Sequence, residues 1–282
     1  MVPVVTTVDR TAEGSEEAAA IRANHRRAVR LCLLPGLVFG LVVGVVLSAA
    51  GLPVYLGAAA FVVLAAGVMV FLFQRAPGAV LRAVGARPSQ EDDRPRLHNL
   101  VDGLCATMGL PQPAICVVDS PVPNAMAVGR DPRGATLVVT SALDHSLTLV
   151  ELEGVLAHEL VHIKRHDTVL AAVAVTTAVP LSLLVGLPRA TTRIHSLIGS
   201  GREFAADQRA AAVVRYPPGI GSALASMLEA PDRSGPWPPG RGRTAALTRW
   251  LWIDPMVGTP SGVSMEGNLD DTRVRAAAQS LY

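Results

Sequence analysis

The chain has 282 residues, of which 50% are hydrophobic, and its formal net charge at pH 7 is +2. This small charge, with basic residues scattered along the chain, argues against a nucleic-acid partner, whose binding surfaces gather Lys and Arg on one face. The three cysteines are odd in number and lack C-x-x-C spacing, so they indicate neither a disulfide framework nor a thiolate metal site.

The N-terminal part of the chain joins a polar segment to a long uncharged one. Residues 1–30 form a tail of mixed charge that ends in a basic cluster, and residues 31–74 contain no charged side chain. The uncharged stretch divides at Gly51-Leu52-Pro53 into residues 31–50 and 54–73, each about the 20 residues that cross roughly 30 Å of hydrocarbon. Neither half carries the polar stripe of a helix in a soluble protein. We predict a transmembrane helical hairpin.

Charged residues on either side of this hairpin indicate its orientation. Arginines precede the first span, and Arg75, Arg82 and Arg87 follow the second, whereas the connecting turn carries no charge. Cytoplasmic segments of membrane proteins carry the excess of positive charge, so both ends of the hairpin should be cytoplasmic. We expect a multi-pass protein of the cell membrane in contact with lipid, with a cytoplasmic tail at 1–30 and a cytoplasmic domain at 75–282.

The segment after the hairpin shows the patterns of one helix and three strands. The acidic stretch Ser89–Asp93 suits the positive start of a helix, whose apolar face runs from Leu97 to Met108 before Gly109. Three short β-rich segments follow, at Ala114–Val118, Ala125–Val128 and Thr136–Thr140. The turn residues that begin at Asp131 predict a hairpin between the last two strands.

The next predicted helix carries two histidines and a glutamate in a metal-binding pattern. Thr148 and Glu151 form a capping box at its start. The motif His158-Glu159-x-x-His162 sets two imidazoles four residues apart on one face, so both can bind a single tetrahedral metal ion. Glu159 lies about 100° around the helix from the first histidine, which lets it act beside the metal as a general base. The motif predicts one zinc ion per chain.

A second pair of residues offers the third ligand that the motif lacks. A catalytic zinc ion usually takes three protein ligands and keeps a fourth position for water. Glu203 and Asp207 are four residues apart on a predicted helix. We predict that Glu203 binds the metal and that Asp207 accepts a hydrogen bond from the outer nitrogen of a ligand histidine, fixing its tautomer. For stabilisation of the reaction's oxyanion, the sequence leaves Arg202, His145 and His195 open.

Another apolar block lies between the second and third predicted ligands. Residues 168–187 are long enough to cross the membrane once, but a single crossing would place the ligands on opposite sides. Arg189 and Arg193 argue against a second full span, since such charges cost about 2.5–3.5 kcal/mol at the bilayer centre. We predict that residues 168–200 form a membrane-associated helical hairpin, bent near Pro180, that does not emerge on the far side.

These motifs, in this order, resemble those of the HtpX-like membrane metalloproteases, relatives of the prenyl-protein CAAX proteases, over roughly residues 89–230. Glu151–Asp167 resembles the active-site helix of that family, and Arg202–Asp207 its third-ligand helix. Pro123–Ala127 resembles its substrate-side strand. Weaker similarities occur near the C-terminus, at Trp250–Pro255 and Asp271–Arg275.

The resemblance implies a role for each matching residue. It implies that the three predicted ligands hold zinc, that Glu159 is the base and that Asp207 supports a ligand histidine. It also implies that Asn124 and Ala125 bind substrate, where an extended peptide adds as a strand to the edge of the sheet. The expected fold is α+β, a mostly helical, zincin-like metalloprotease domain with a small edge-strand sheet, plus the N-terminal transmembrane hairpin.

Three functions follow from these patterns. We expect a membrane-anchored zinc-dependent endopeptidase that hydrolyses peptide bonds of membrane or membrane-proximal proteins on the cytoplasmic side, in protein quality control. One alternative is a regulatory metalloprotease of the BlaR type, against which the Pro123-Asn124-Ala125 strand and the lack of an appended extracellular sensor domain argue. The other is a non-catalytic, zinc-stabilised membrane scaffold, which would have no need of Glu159 beside the metal. The sequence does not predict the oligomeric state.

Overall fold

A computed structural model describes residues 10–198, 201–216, 218–230, 238–240 and 242–253. The start of the predicted tail and the similarity at Asp271–Arg275 lie outside this part of the chain. Over these residues the architecture is α+β and mostly helical, with a small sheet and two long apolar helices near the N-terminus. These features confirm the predicted fold class.

The two N-terminal helices pack against each other and expose most of their apolar surface. Helix α1 spans Arg10–Ala49 and helix α2 spans Val54–Val84. A Cβ atom on Gly36 would lie 2.5 Å from the carbonyl oxygen of Ala65, so the helices touch through their backbones, as small residues allow in membranes. Only 18% and 11% of the most apolar windows of the two helices are buried. This exposure is the pattern of a membrane protein, because soluble proteins cover such surface.

Four strands form the sheet, in the order β1-β2-β4-β3. Their bounds are Arg87–Pro88 (β1), Ala114–Val118 (β2), Ala125–Val128 (β3) and Thr136–Thr140 (β4). The last three have the predicted bounds, whereas β1, which pairs antiparallel with β2, was not predicted. Strands β3 and β4 form an antiparallel hairpin, and the Asp131 side chain accepts hydrogen bonds from two backbone amides in its turn. Among the described strands, β3 therefore lies at one edge of the sheet.

Helices form most of the rest of the described structure. Their bounds are Pro95–Met108 (α3), Leu143–Ser146 (α4), Leu149–Lys164 (α5), Asp167–Val185 (α6), Leu187–Ile198 (α7), Gly201–Val213 (α8), Gly219–Glu229 (α9) and Gly242–Leu247 (α10), followed by a 3-10 turn at Thr248–Leu251. Helix α5 packs against α3, α8, α9 and β3 and so lies in the middle of the domain core.

Helix α3 begins later than its acidic leading stretch predicted. The helix starts at Pro95 and not at Ser89, and residues 91–93 form a turn instead. Proline disfavours the helical region for the residue before it, and Arg94 has φ −143° and ψ 62°. Pro95 itself fits the first helical position, where its missing N–H costs nothing. The proline therefore outweighs the favourable charge of the stretch before it.

Helices α6 and α7 pack against each other, and α6 also packs against α1 and α2. The predicted bend near Pro180 was wrong, because Pro180 lies inside α6 and the chain turns at Gly186. Gly186 has φ 82° and ψ 158°, a conformation open essentially to glycine alone. Val169–Val175 is fully covered and shares a core cluster with Ala28 of α1 and Ala76 of α2. The first half of α6 is therefore buried between the domain and the N-terminal helices.

Candidate active site

The capping box of helix α5 is present and places the histidine motif inside the core. The Thr148 hydroxyl accepts from the Glu151 amide at 3.4 Å, and a Glu151 carboxylate oxygen accepts from the Thr148 amide at 2.9 Å. Two turns further on, His158, Glu159 and His162 are 0%, 2% and 5% exposed. The helix start is thus fixed by local hydrogen bonds, and its chemically active residues are buried.

The structure brings three predicted ligands together. The Nε2 atoms of His158 and His162 lie 3.1 Å apart, and Glu203 Oε2 on α8 lies 3.3 Å from the first and 3.6 Å from the second. A tetrahedral zinc ion with Zn–N and Zn–O distances of about 2.0–2.1 Å needs its ligand atoms about 3.3 Å apart. Two imidazole nitrogens and a carboxylate oxygen at these separations therefore fit such an ion.

Carboxylates behind the histidines fix which ring nitrogen faces the centre. Asp207 Oδ1 lies 2.8 Å from Nδ1 of His158, and Asp167 Oδ2 lies 2.9 Å from Nδ1 of His162. Both aspartates are nearly inaccessible, with 1% and 3% exposure. The His162 Nδ1–H donates to Asp167, which leaves the Nε2 lone pair of that ring free to bind a metal. The Asp207 carboxylate lies at ion-pair distance from Nδ1 of His158, on the side of the ring away from the ligand group.

Sequence reasoning missed the role of Asp167. A residue five positions after His162 on a continuing helix would lie about 140° away around the axis. Instead α5 ends at Lys164, and His166 adopts a left-handed conformation with φ 57° and ψ 27°, which turns the chain so that Asp167 faces His162. A non-glycine residue rarely adopts this conformation. The one sequence signal was an acidic residue at the start of an otherwise apolar helix.

Charges around the site favour a cation at its centre. Burial alone lowers the pKa of His162, but the Glu203 and Asp167 carboxylates outweigh burial and raise that pKa to about 9. Burial raises the pKa of Glu203, yet Arg202 and His162 hold it well below its usual value. Burial also raises the pKa of Glu159, the predicted base. The imidazoles thus lie in surroundings that stabilise positive charge, as a metal ion requires.

The two predicted substrate-binding residues lie at the edge strand but are covered. Asn124 and Ala125 are both 0% exposed. The backbone N–H of Asn124 donates to the Thr140 hydroxyl at 2.9 Å. The backbone carbonyl of Ala125 accepts from the backbone N–H of Ile253, also at 2.9 Å. A residue from the C-terminal part of the chain therefore pairs with the edge of β3 that faces away from β4.

Of the three candidates for oxyanion stabilisation, Arg202 is adjacent to the ligand group. Its Nε donates to Glu203 Oε1 at 2.8 Å, while the other oxygen of Glu203 faces the histidines. The side chain of His145 is 78% exposed and lies 3.4 Å from Asp144. The side chain of His195 lies outside the described part of the chain.

Comparison with known proteins gives the family of this chain. A profile described as "Peptidase family M48" matches residues 91–250, which contain the metal-binding group and the sheet from β2 to β4. The protease HtpX homolog of Salinibacter ruber is 34% identical over 205 residues, covering 65% of this chain and 72% of that protein. The homolog of Dictyoglomus thermophilum is 31% identical over 240 residues, covering 73% and 77%. From this match and these relatives, the chain belongs to peptidase family M48, among its HtpX-like members.

Proposed function

We propose that this protein is a membrane-anchored endopeptidase that uses one zinc ion, held by His158, His162 and Glu203. The observation that carries the proposal is the set of separations between the three ligand atoms, 3.1, 3.3 and 3.6 Å, with an aspartate behind each histidine. This combination of donors and open coordination is typical of catalytic zinc sites, in which water takes the fourth position.

The peptide hydrolysis divides between the metal and Glu159. A zinc ion held by His158, His162 and Glu203 would lower the pKa of a bound water to about 7 and would polarise the substrate carbonyl. Glu159 then acts as the base that accepts a proton from the attacking water and as the acid that delivers it to the leaving amine. Burial raises the pKa of Glu159, and a raised pKa favours acceptance of a proton by this carboxylate.

The proposed location is the cell membrane, with α1 and α2 each crossing it and the peptidase domain in the cytoplasm. Support comes from the outward-facing apolar surface of the two helices and the arginines that flank them. Because His162 and Glu203 meet at one site, the chain between them must cross the membrane an even number of times. Exposed Arg189 and Arg193 on α7 favour no crossing. Residues 168–200 are proposed to lie in or on the cytoplasmic half of the bilayer.

The proposed substrates are membrane or membrane-proximal proteins, cleaved as part of protein quality control. A cytoplasmic active site beside two membrane helices would meet polypeptides near the bilayer surface. An extended substrate would bind by adding a strand at β3, beside Asn124 and Ala125. Since Ile253 pairs with Ala125 in this structure, that mode of binding requires residue 253 to move away.

The central experiment measures zinc content and cleavage of casein by the full chain in detergent, for wild type, Glu159→Gln and Glu203→Ala. We expect one zinc per chain in wild type and Glu159→Gln, cleavage by wild type alone, and loss of zinc from Glu203→Ala. Equal cleavage by wild type and Glu159→Gln would remove the proposed base. Zinc binding without any cleavage dependent on Glu159 would instead support the scaffold alternative.

A further inference from the structure

Helix α1 reaches the candidate active site through one buried side chain, Asn24. This residue is 8% exposed although it belongs to the polar segment before the first apolar stretch. Its Nδ2 donates to Asp167 Oδ1 at 2.5 Å and lies 3.4 Å from the Arg165 carbonyl oxygen. The other oxygen of Asp167 is the one that accepts from Nδ1 of His162, at 2.9 Å. Asn24 is therefore two hydrogen bonds away from the predicted ligand.

We propose that Asn24 is a positioning residue that orients the metal ligand His162 through Asp167. The proposal rests on the proposed zinc site. An aspartate carboxylate can rotate about its side-chain bonds, so a donor that holds one oxygen also sets the direction of the other. The amide of Asn24 can do this while leaving the negative charge of Asp167 in place, because it is a neutral donor. That charge supports the ligand histidine, as carboxylates commonly do behind metal-binding imidazoles.

Neighbouring contacts hold Asn24 at this position. His25 Nε2 lies 3.1 Å from Nδ1 of His166, the residue whose left-handed conformation brings Asp167 to the site. One and two turns further along α1, Ala28 and Cys32 are fully buried against the core cluster that includes the start of α6. A second group restrains Asp167 less closely, since Arg165 Nε lies 3.5 Å from its Oδ2. Asn24 makes the shorter contact.

This arrangement couples the geometry of the active site to the membrane helix. Asn24 lies on the same continuous helix, Arg10–Ala49, that contains the first apolar span. The amide donor reaches Asp167 only when α1 packs against the α5–α6 junction. The orientation of His162 in the peptidase domain thus depends on Asn24, which lies on the first apolar helix and is 143 positions from Asp167 in the sequence.

The test compares zinc affinity of full-length variants in detergent, measured by competition with a chelator. Asn24→Leu removes the donor at similar volume, Asn24→Gln retains an amide, and Arg26→Ala changes an exposed residue on the same helix. Direct carboxylate partners of ligand histidines are worth about 10–100-fold in metal affinity. We expect Asn24→Leu to weaken zinc binding about tenfold, at the lower end of that range, Asn24→Gln to weaken it less, and Arg26→Ala to leave it unchanged.

A double-mutant cycle separates positioning from a general loss of helix packing. If Asn24 acts through Asp167, Asn24→Leu should not weaken zinc binding any further in a protein that already carries Asp167→Ala. Cobalt-substituted protein gives a second readout: its visible absorption bands should shift in Asn24→Leu and stay in place in Arg26→Ala. Wild-type affinity and spectrum in Asn24→Leu would overturn the proposal, as would an undiminished effect in the Asp167→Ala background. Failure of the wild type to bind zinc would instead refute the proposed function.

Discussion

Asp207 Oδ1 lies 2.8 Å from Nδ1 of His158, and both side chains are almost completely buried. Asp207 stands one turn after Glu203 on α8, so a single helix supplies a predicted metal ligand and the carboxylate that orients another. The proposed zinc site therefore depends on the position of α8 against α5.

Removing the Asp207 carboxylate should weaken zinc binding. We expect Asp207→Ala to lower zinc affinity about 10–100-fold, because the His158 ring loses the carboxylate beside its Nδ1. Asp207→Asn keeps an acceptor oxygen but loses the charge, so it should weaken zinc binding less than Asp207→Ala does. Gln208→Ala changes an exposed residue on the same helix and should bind zinc like wild type. Chelator competition measures all four proteins, and unchanged affinity in Asp207→Ala would contradict the assignment.

The contact between α5 and α9 should not tolerate a larger residue at Gly154. A Cβ atom there would lie 2.7 Å from the backbone nitrogen of Ile220, and backbone cannot move aside cheaply. We expect Gly154→Ala to lower the free energy of unfolding by about 1–3 kcal/mol. Gly103→Ala is the matched control, since nothing lies within 4 Å of its added Cβ. It lies inside α3, where alanine stabilises a helix by about 0.5–1 kcal/mol. Thermal unfolding should show a loss of stability in Gly154→Ala and a gain in Gly103→Ala. Equal stability of the two variants would refute the close contact.

His166 should make stability fall in mildly acidic solution. Burial and then the adjacent His25 lower the pKa of His166, while Asp131, the Arg130 carbonyl and Asp167 oppose this. The folded protein therefore binds this proton less readily than the unfolded chain, whose histidine pKa is about 6.5. Between the lowered pKa and about 6.5 the unfolded state holds more protons, so stability rises with pH across that window and is highest above it.

The measurement for His166 is the midpoint of thermal unfolding between about pH 5 and 7.5, for wild type and His166→Asn. Asparagine does not titrate and accepts the left-handed conformation that this position requires. Every other residue is the same in both proteins, so the difference between the two curves reports on residue 166. We expect wild type to lose stability more steeply as the pH falls. Parallel curves would contradict the assignment.

If substrates add to β3, then removing the Ile253 amide should help them bind. Trp252 has φ −82° and ψ 144°, a conformation that is compatible with a following proline. Ile253→Pro deletes the donor to the Ala125 carbonyl, a hydrogen bond worth about 0.5–1.5 kcal/mol, or roughly 2–10-fold. We expect kcat/KM for casein to rise by that factor relative to Ile253→Ala, which loses the buried side chain but keeps the N–H. A lower kcat/KM in the proline variant would argue against substrate binding at this edge.

Features that depend on neighbouring residues could be predicted from the sequence. The three strand ranges follow from short β-rich segments between turn residues, and the start of α5 follows from Thr148 and Glu151. The pairing of His158 with His162 follows from their helical spacing alone. The later start of α3 also has a local cause, because Pro95 keeps Arg94 out of the helical conformation.

By itself, the sequence determined the apolar N-terminal helices, the histidine helix and the acidic pair at Glu203 and Asp207, because periodicity, caps and composition act over a few residues. Tertiary structure decided what surrounds the metal-binding group. The left-handed residue His166 turns Asp167 toward His162, and packing of α1 brings Asn24 to Asp167 across 143 positions. Such contacts depend on how distant helices pack, so no local pattern records them.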